Sequence, residues 1–340
     1  MPSTSASSSC LSTGSISRAA DRYDRPVVRY RRSLPQLNGR VLLTDGGMET
    51  TLVFHERIDL PCFASFPLLE TDEGSAAMTR YFEPYLAVAR RLGTGFLLEA
   101  NTWRANPAWG AKLGYSLDDL AEANRRAIRF VEEIRRREEA DGRPFVLSAP
   151  IGPEGDAYDP ASRMSADAAE RFHSWQVGIL ANTAADLVTG LTLTYVEEAI
   201  GIVRAAAASG MPAAVSFTVE TDGRLPTGQP LAEAIEQVDR ETAGAAAYFM
   251  VNCAHPTHFL PTLEGPGPWH RVLGIRANAS TKSHAELDES EELDDGDPAE
   301  LAREYLAIGE RLDHLTVLGG CCGTDHRHIA SVADAWFAAP

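Results

Sequence analysis

From residue 41 onward, short apolar runs alternate with longer stretches that are apolar on one side only. Eight runs read as β-strands: VLLTDGG (41–47), GFLLEANTW (95–103), FVLSAPIG (145–152), DLVTGLTLT (186–194), AAVSFTV (213–219), YFMVNCAH (248–255), VLGIRANAS (272–280) and LTVLGGCCGT (315–324). Their apolar positions are continuous rather than alternating, as in strands buried on both faces. Between them the spacing predicts helices. The patterns at 76–93 and 196–210 end in Gly93 and Gly210, where a helix C-terminal glycine belongs. The pattern starting at 165 opens on Ser165, a good N-cap. Further helical patterns fall at 117–142, 230–242 and 297–312. Eight strands alternating with helices predict an α/β fold of the (β/α)8 TIM-barrel type. An open doubly wound sheet is the alternative. No G-x-G-x-x-G follows the first run, which weakens a dinucleotide-binding version of it.

In such a barrel the active face is built at the C-terminal ends of the strands. The polar residues at those ends are therefore the candidates. They are Asp45, Gly46 and Gly47 after the first run, Glu99, Asn101 and Thr102 after the second, and Glu220 just past the fifth. The sixth ends in Asn252, Cys253 and His255, the seventh in Asn278, and the eighth in Cys321 and Cys322.

The adjacent cysteines are the most informative feature. A disulfide between chain neighbours is strained, and three glycines (Gly319, Gly320 and Gly323) surround this pair. Strands six and eight lie near each other in an eight-stranded barrel, so Cys253 supplies a third thiol at the same end. Three thiolates suit Zn²⁺ and leave its fourth position open, as in catalytic sites. Such an ion is too electron-rich to polarise a carbonyl well. It can still bind a substrate thiol and hold it as the nucleophilic thiolate, which fits alkyl transfer to sulfur better than water activation. The alternative for the pair is ordinary packing. Cys62, in LPCFASFP, reads as a small packing residue.

Composition narrows the partners. The chain has 340 residues, 44% hydrophobic, with a formal net charge of −17. That length suits one barrel. The acidity and the lack of a basic stripe argue against nucleic acid and for small-molecule partners. No apolar run approaches a membrane span. Five cysteines are too few for a disulfide scaffold, so a reducing compartment, the cytoplasm, is expected. Oligomeric state is left open. Residues 1–36 differ from the rest: a Ser/Thr-rich start is followed by an Arg-rich stretch, and residues 1–40 hold seven Arg against two Asp. A disordered tail, with Cys10 in it, is expected ahead of a barrel at 37–340, and a targeting peptide is the alternative.

Five segments share their motifs with a known family: DGGMETTL (45–52), EANTWRAN (99–106), IGPEGD (151–156), VNCAHP (251–256) and GGCCGTDHRHI (319–329). From about residue 38 to 337 the chain resembles the homocysteine S-methyltransferases. The resemblance implies a (β/α)8 barrel with Zn²⁺ on Cys253, Cys321 and Cys322. It implies that the thiol of L-homocysteine takes a methyl group from a sulfonium or ammonium donor to give methionine. S-methylmethionine, S-adenosylmethionine and betaine are all compatible donors. It also places the DGGMET segment at the substrate, where Asp45 either orients neighbouring groups or caps the next helix. Methyl transfer involving another thiol or selenol is one alternative, and a barrel that binds zinc and an amino acid without turnover is another.

Two departures stand out. Relatives commonly carry Glu-Thr at the end of the fourth strand, where the Glu helps to bind the substrate's amino group. Here Leu191-Thr192 occupies that place, and a leucine cannot pair with an ammonium. Glu220 or Glu99 is expected to take over. Relatives also usually have Gly-Thr after the first-strand Met, where this chain has Glu49-Thr50. The remaining features carry less. His326 and His328 read as helix-start residues beside an N-cap at Asp325, and His255 as support for the cysteine site. Trp103 is expected either to stack against a cationic donor or to pack in the core. The nine acidic residues of 285–300 read as a solvated loop and helix start.

Overall fold

The computed structural model describes residues 28–140, 142–157, 163–288 and 292–339. Eight parallel strands close into a barrel in chain order. They are β1 (Leu42–Leu43), β2 (Gly95–Glu99), β3 (Phe145–Ile151), β4 (Leu187–Leu193), β5 (Ala213–Phe217), β6 (Ala246–Asn252), β7 (Val272–Ala277) and β8 (Val317–Gly320). Pairing of Leu42 with Val317 and with Gly95 closes the ring. The long helices are α1 (Asp72–Leu92), α2 (Leu117–Glu138), α3 (Ala166–Ala181), α4 (Val196–Ala208), α5 (Leu231–Glu241), α6 (Pro298–Gly309) and α7 (His326–Ala338). The β6–β7 connection carries only the short helix Pro256–Phe259 and 3-10 turns. The fold is the expected (β/α)8 barrel.

Local sequence explains the helix ends. Thr71, Ser116, Ser165 and Asp297 each accept a backbone N–H in the first turn of α1, α2, α3 and α6. Gly93 ends α1 in the left-handed region at φ +65°. Between strands and helices lies one continuous apolar layer. A second, smaller cluster fills the barrel interior: Leu42, Leu97, Val146, Leu187, Ala214, Tyr248, Met250 and Val317, with Leu34 beneath them. No helix among the described residues is long and apolar enough to cross a membrane.

Most strands stop earlier than their apolar patterns suggest. β1 is two residues where seven were expected, and β8 ends at Gly320 rather than Thr324. The cause is shared: the polar residues at these ends leave the ladder to line the mouth of the barrel.

Two expectations change. The tail boundary moves back from residue 36, because residues 28–36 belong to the folded body. The Arg29 and Tyr30 amides donate to Asp186 at 3.0 and 2.8 Å, and the Arg31 guanidinium donates to the carbonyls of Ala181, Thr183 and Ala185. Leu34 and Gln36 are buried, and Gln36 donates to the Tyr248 hydroxyl inside the barrel. Residues 1–27, with Cys10, lie outside the described residues. Cys62 is exposed rather than packed. It sits in the turn Pro61–Phe63 at φ +56°, which turns its side chain away from the core.

Asp186 is the anchor of the barrel's lower end. Besides the two amides above, it accepts from Leu147 N–H and from Arg135 Nη1, each at 2.9 Å, and neither side chain of the ion pair is exposed. Removing one partner of a buried, hydrogen-bonded pair strands the other charge, at about 3–5 kcal/mol. Asp186→Ala is therefore expected to lose about 3–5 kcal/mol of unfolding free energy, read as a lower urea midpoint.

Candidate active site

The mouth of the barrel opens into a cavity of about 740 Å³. This volume is typical of small-molecule sites. Its wall includes Asp45, Gly46, Gly47, Glu99, Asn101, Glu220, Cys253, Asn278, Cys321 and Cys322, the residues predicted from the strand ends. Asn252 stands behind the wall. Its Oδ1 accepts from Thr192 N–H (3.0 Å) and Ser216 Oγ (2.6 Å), and its Nδ2 donates to Thr192 Oγ1 (2.8 Å) and lies 3.8 Å from Cys321 Sγ. Thr102 and His255 also stay out of the wall. Thr102 donates to the Pro150 carbonyl, and His255 caps the short helix Pro256–Phe259.

The three sulfurs of Cys253, Cys321 and Cys322 lie within 4.8 Å of one another. The Cys253 and Cys322 sulfurs are 3.5 Å apart. A tetrahedral zinc with Zn–S of about 2.3 Å spaces its sulfurs roughly 3.8 Å apart, so this donor set fits such an ion. The backbone holds each cysteine in place. Cys253 N–H donates to the Arg276 carbonyl, and its own carbonyl accepts from Thr218 Oγ1 and from the His284 ring at 2.6 Å. Cys253 adopts φ +56°, a left-handed conformation that a non-glycine residue keeps only where its surroundings impose it. Cys321 N–H donates to the Ala277 carbonyl, and the Cys322 carbonyl accepts from Ala279 N–H. Gly323, at φ +78°, turns the chain after the pair. The Cys321 thiol is held well below its usual range, chiefly by hydrogen bonds from Cys253 and Cys322 and further by the nearby Arg276 charge. Cys322 moves the other way, because it is the donor in that cluster.

Arg276 was not singled out by its strand-end position, yet it organises the mouth. From β7 its guanidinium reaches Asp45 Oδ1 at 2.9 Å and Glu99 Oε1 at 3.3 Å. It also donates to the carbonyls of Gly320 and Gly46 and to Thr44 Oγ1. The one arginine thus ties β1, β2 and β8 to β7. A charge within the apolar run VLGIRANAS was the signal available in the sequence. Asp45 further accepts from Tyr81 OH and Thr44 Oγ1. It is an orienting group and not a cap: Gly47 caps the turn Met48–Thr50 with no side-chain bond.

The wall is acidic. Two carboxylates share the Arg276 charge, and neither Glu99 oxygen takes an aligned hydrogen bond. Burial pushes Glu99 up to about 7, opposed by Arg276 and reinforced by Asp45. Glu49, half-buried on the same wall, is also pushed up to about 7 by burial. Its own N–H and Ser65 oppose the shift, while Asp45 and Cys321 add to it. Glu220 lies 3.3 Å from His284 Nδ1, with its side chain 37% exposed. Leu191 faces the cavity from the end of β4, and its carbonyl accepts from Trp103 Nε1 at 3.0 Å. The cation over Trp103 is the chain's own: the Arg104 guanidinium stacks over Trp103 at 4.2 Å and over Trp109 at 3.7 Å. His328 forms a capping box with Asp325 at the start of α7.

Fold and site together define a (β/α)8-barrel enzyme with a three-cysteine centre at the mouth of the barrel. The chain belongs to the homocysteine S-methyltransferase family, whose profile matches residues 42–336. Among solved structures it is similar to the homocysteine methyltransferase MmuM from Escherichia coli. The oxidized form superposes with a TM-score of 0.69 at 20% identity, covering 86% of this chain and 95% of that one. The metallated form gives 0.67 at 20% identity, covering 86% and 96%. No curated protein matches the chain in sequence.

The raised carboxyls have a sign that can be checked. The unfolded chain releases these protons near 4.5, whereas the folded chain holds them to about 7. Between those values the folded state binds more protons, so stability falls as pH rises through the window. In metal-free protein, Glu49→Gln is expected to shrink the drop in Tm between pH 4.5 and pH 8, read by calorimetry.

Proposed function

We propose that the protein transfers a methyl group from a cationic donor to the thiol of L-homocysteine, giving methionine. The observation that carries this reading is the convergence of the Cys253, Cys321 and Cys322 sulfurs at the cavity wall, within a chain of this family. These three residues would hold zinc. When bound there, the ion keeps a substrate sulfur as a thiolate and therefore nucleophilic.

The chain's own groups set up the rest. In the reaction the substrate sulfur forms a bond to the methyl carbon while the donor's carbon–sulfur or carbon–nitrogen bond breaks. The pair of electrons in that bond stays with the leaving group, which becomes neutral. Opposite charges are thus consumed together. A dry, closely held arrangement favours this, and catalysis then rests largely on positioning. The acidic wall of Asp45, Glu99, Glu220 and Glu292 attracts the cationic donor. Arg276 keeps Asp45 and Glu99 in place behind the cysteine loop. Gly46 and Gly47 admit close approach there: a Cβ on Gly47 would stand 2.6 Å from the Cys321 carbonyl oxygen. S-methylmethionine, S-adenosylmethionine and betaine all carry the required charge. Leu191 at the end of β4 favours one second reading, in which the acceptor is a different thiol or a selenol.

The test is methionine formation from L-homocysteine with each of the three donors, using zinc-loaded protein. Product is expected with at least one donor and is expected to fall to background in Cys321→Ala. Absence of product with every donor, at one zinc per chain, would replace homocysteine with another acceptor.

A further inference from the structure

An amino-acid thiol brings an ammonium into the cavity, and β4 lines it with Leu191 and Thr192 but with no carboxylate. The cavity's carboxylates differ in how free they are to receive it. Asp45 is engaged by Arg276, Tyr81 and Thr44. Glu99 shares the Arg276 charge, and both of its oxygens are buried. Asp294 pairs with Lys282 and accepts from Ser280. Glu220 faces His284 with its side chain 37% exposed, and Asp156 and Glu292 are more exposed still. Glu49 differs from all of these. It is half-buried, lines the cavity and pairs with no cation among the described residues. Ser65 Oγ donates to its Oε1 at 3.0 Å, which orients the carboxylate without neutralising it.

Its location fits the task. Glu49 sits in the turn Met48–Thr50, and that turn rests on the cysteine loop. Thr50 Oγ1 accepts from Gly323 N–H at 3.3 Å, and Gly47 lies against the Cys321 carbonyl. Next to Glu49, Met48 takes a contact from Asn101 Nδ2, leaving the Asn101 Oδ1 acceptor buried and unpaired behind the wall. A carboxylate without a counter-ion, backed by an unpaired acceptor and carried on a turn packed against the cysteine loop, is an incomplete ion pair. A ligand cation completes it.

Resting on the thiol-acceptor reading above, we infer that Glu49 is the specificity residue that binds the α-ammonium of the acceptor, in place of the glutamate this chain lacks on β4. The role moves from the fourth strand to the first. The acceptor class is then a thiol amino acid with a free amino group, not a simple alkyl thiol.

The test compares L-homocysteine with 4-mercaptobutanoate, which keeps the thiol and carboxylate but has no amino group. Affinity for zinc-loaded protein is measured by calorimetry, with KM and kcat alongside. Wild type is expected to prefer homocysteine by about 10- to 100-fold, the worth of one charge-assisted hydrogen-bonded pair. Glu49→Gln is expected to reduce that preference to about twofold or less by weakening homocysteine alone, with KM raised and kcat little changed. Glu49→Asp is expected to keep part of the preference, and Glu220→Gln all of it. Zinc content and Tm establish that each variant is folded; should the Gln variant fail there, the Asp variant carries the comparison. A preference that survives in Glu49→Gln, or that is lost in Glu220→Gln instead, overturns the assignment. Wild type binding both thiols equally also overturns it, while leaving the thiol reading standing. Wild type binding neither thiol removes both readings.

Discussion

Everything at the mouth of this barrel depends on one guanidinium held between two carboxylates. Arg276 is buried, and burying a lone cation would be prohibitive. Asp45 and Glu99 make it tolerable, and the carbonyls of Gly46 and Gly320 take up its remaining donors. The result is a brace across four strands at the point where three of them leave the sheet. The cysteine loop begins one residue after Gly320, so its geometry is set by that brace. Interactions of this kind are costly to break from either side, because each partner is stranded without the other. The brace also leaves a charge imbalance, one cation against two anions, and the acidic character of the cavity grows from that surplus.

The barrel was legible because the strands are short, continuous and apolar, and because their polar ends coincide with the ends of the runs. The cysteine centre was legible for the same reason: the topology brings the end of β6 close to the end of β8, and thiols are rare enough in this chain to stand out. Arg276 was harder to see. It lies inside a strand, and its side chain reaches across to β1 and β2, contacts with no local pattern in the sequence. Glu49 could be read as a departure from the family's usual glycine, but its surroundings could not. Ser65, which orients it, is 16 residues away in a loop. The strand ends were over-extended for a physical reason: residues such as Asn101 and Asn278 follow an apolar run but turn out of the ladder into the wall. Residues 28–36 were misjudged by composition. Residues that look like a solvated tail are instead tied down: the Arg31 guanidinium donates to the carbonyls of Thr183 and Ala185, and the Arg29 and Tyr30 amides donate to Asp186.

The two ends of the barrel are built on different principles. The lower end is closed by a paired charge and a plug: Asp186 accepts four donors, and Leu34 and Gln36 fill the interior, with Gln36 Oε1 the one acceptor of that plug left without a partner. The upper end keeps polar groups unsatisfied. Glu99, Asn101 and Asn278 all hold buried acceptors without partners there.

The contact between the Met48–Thr50 turn and the Cys321–Gly323 loop has an evolutionary reading. In a barrel, loops are ordinarily separate modules, and one can drift while the next is preserved. Here the first and eighth loops are packed so tightly that a methyl group on Gly47 would collide with the other's backbone. A lineage that placed substrate discrimination on the first loop would have tied it to the sulfur centre, narrowing the mutational routes by which either could change alone. The fourth loop, relieved of its charge, would be the one left free to vary.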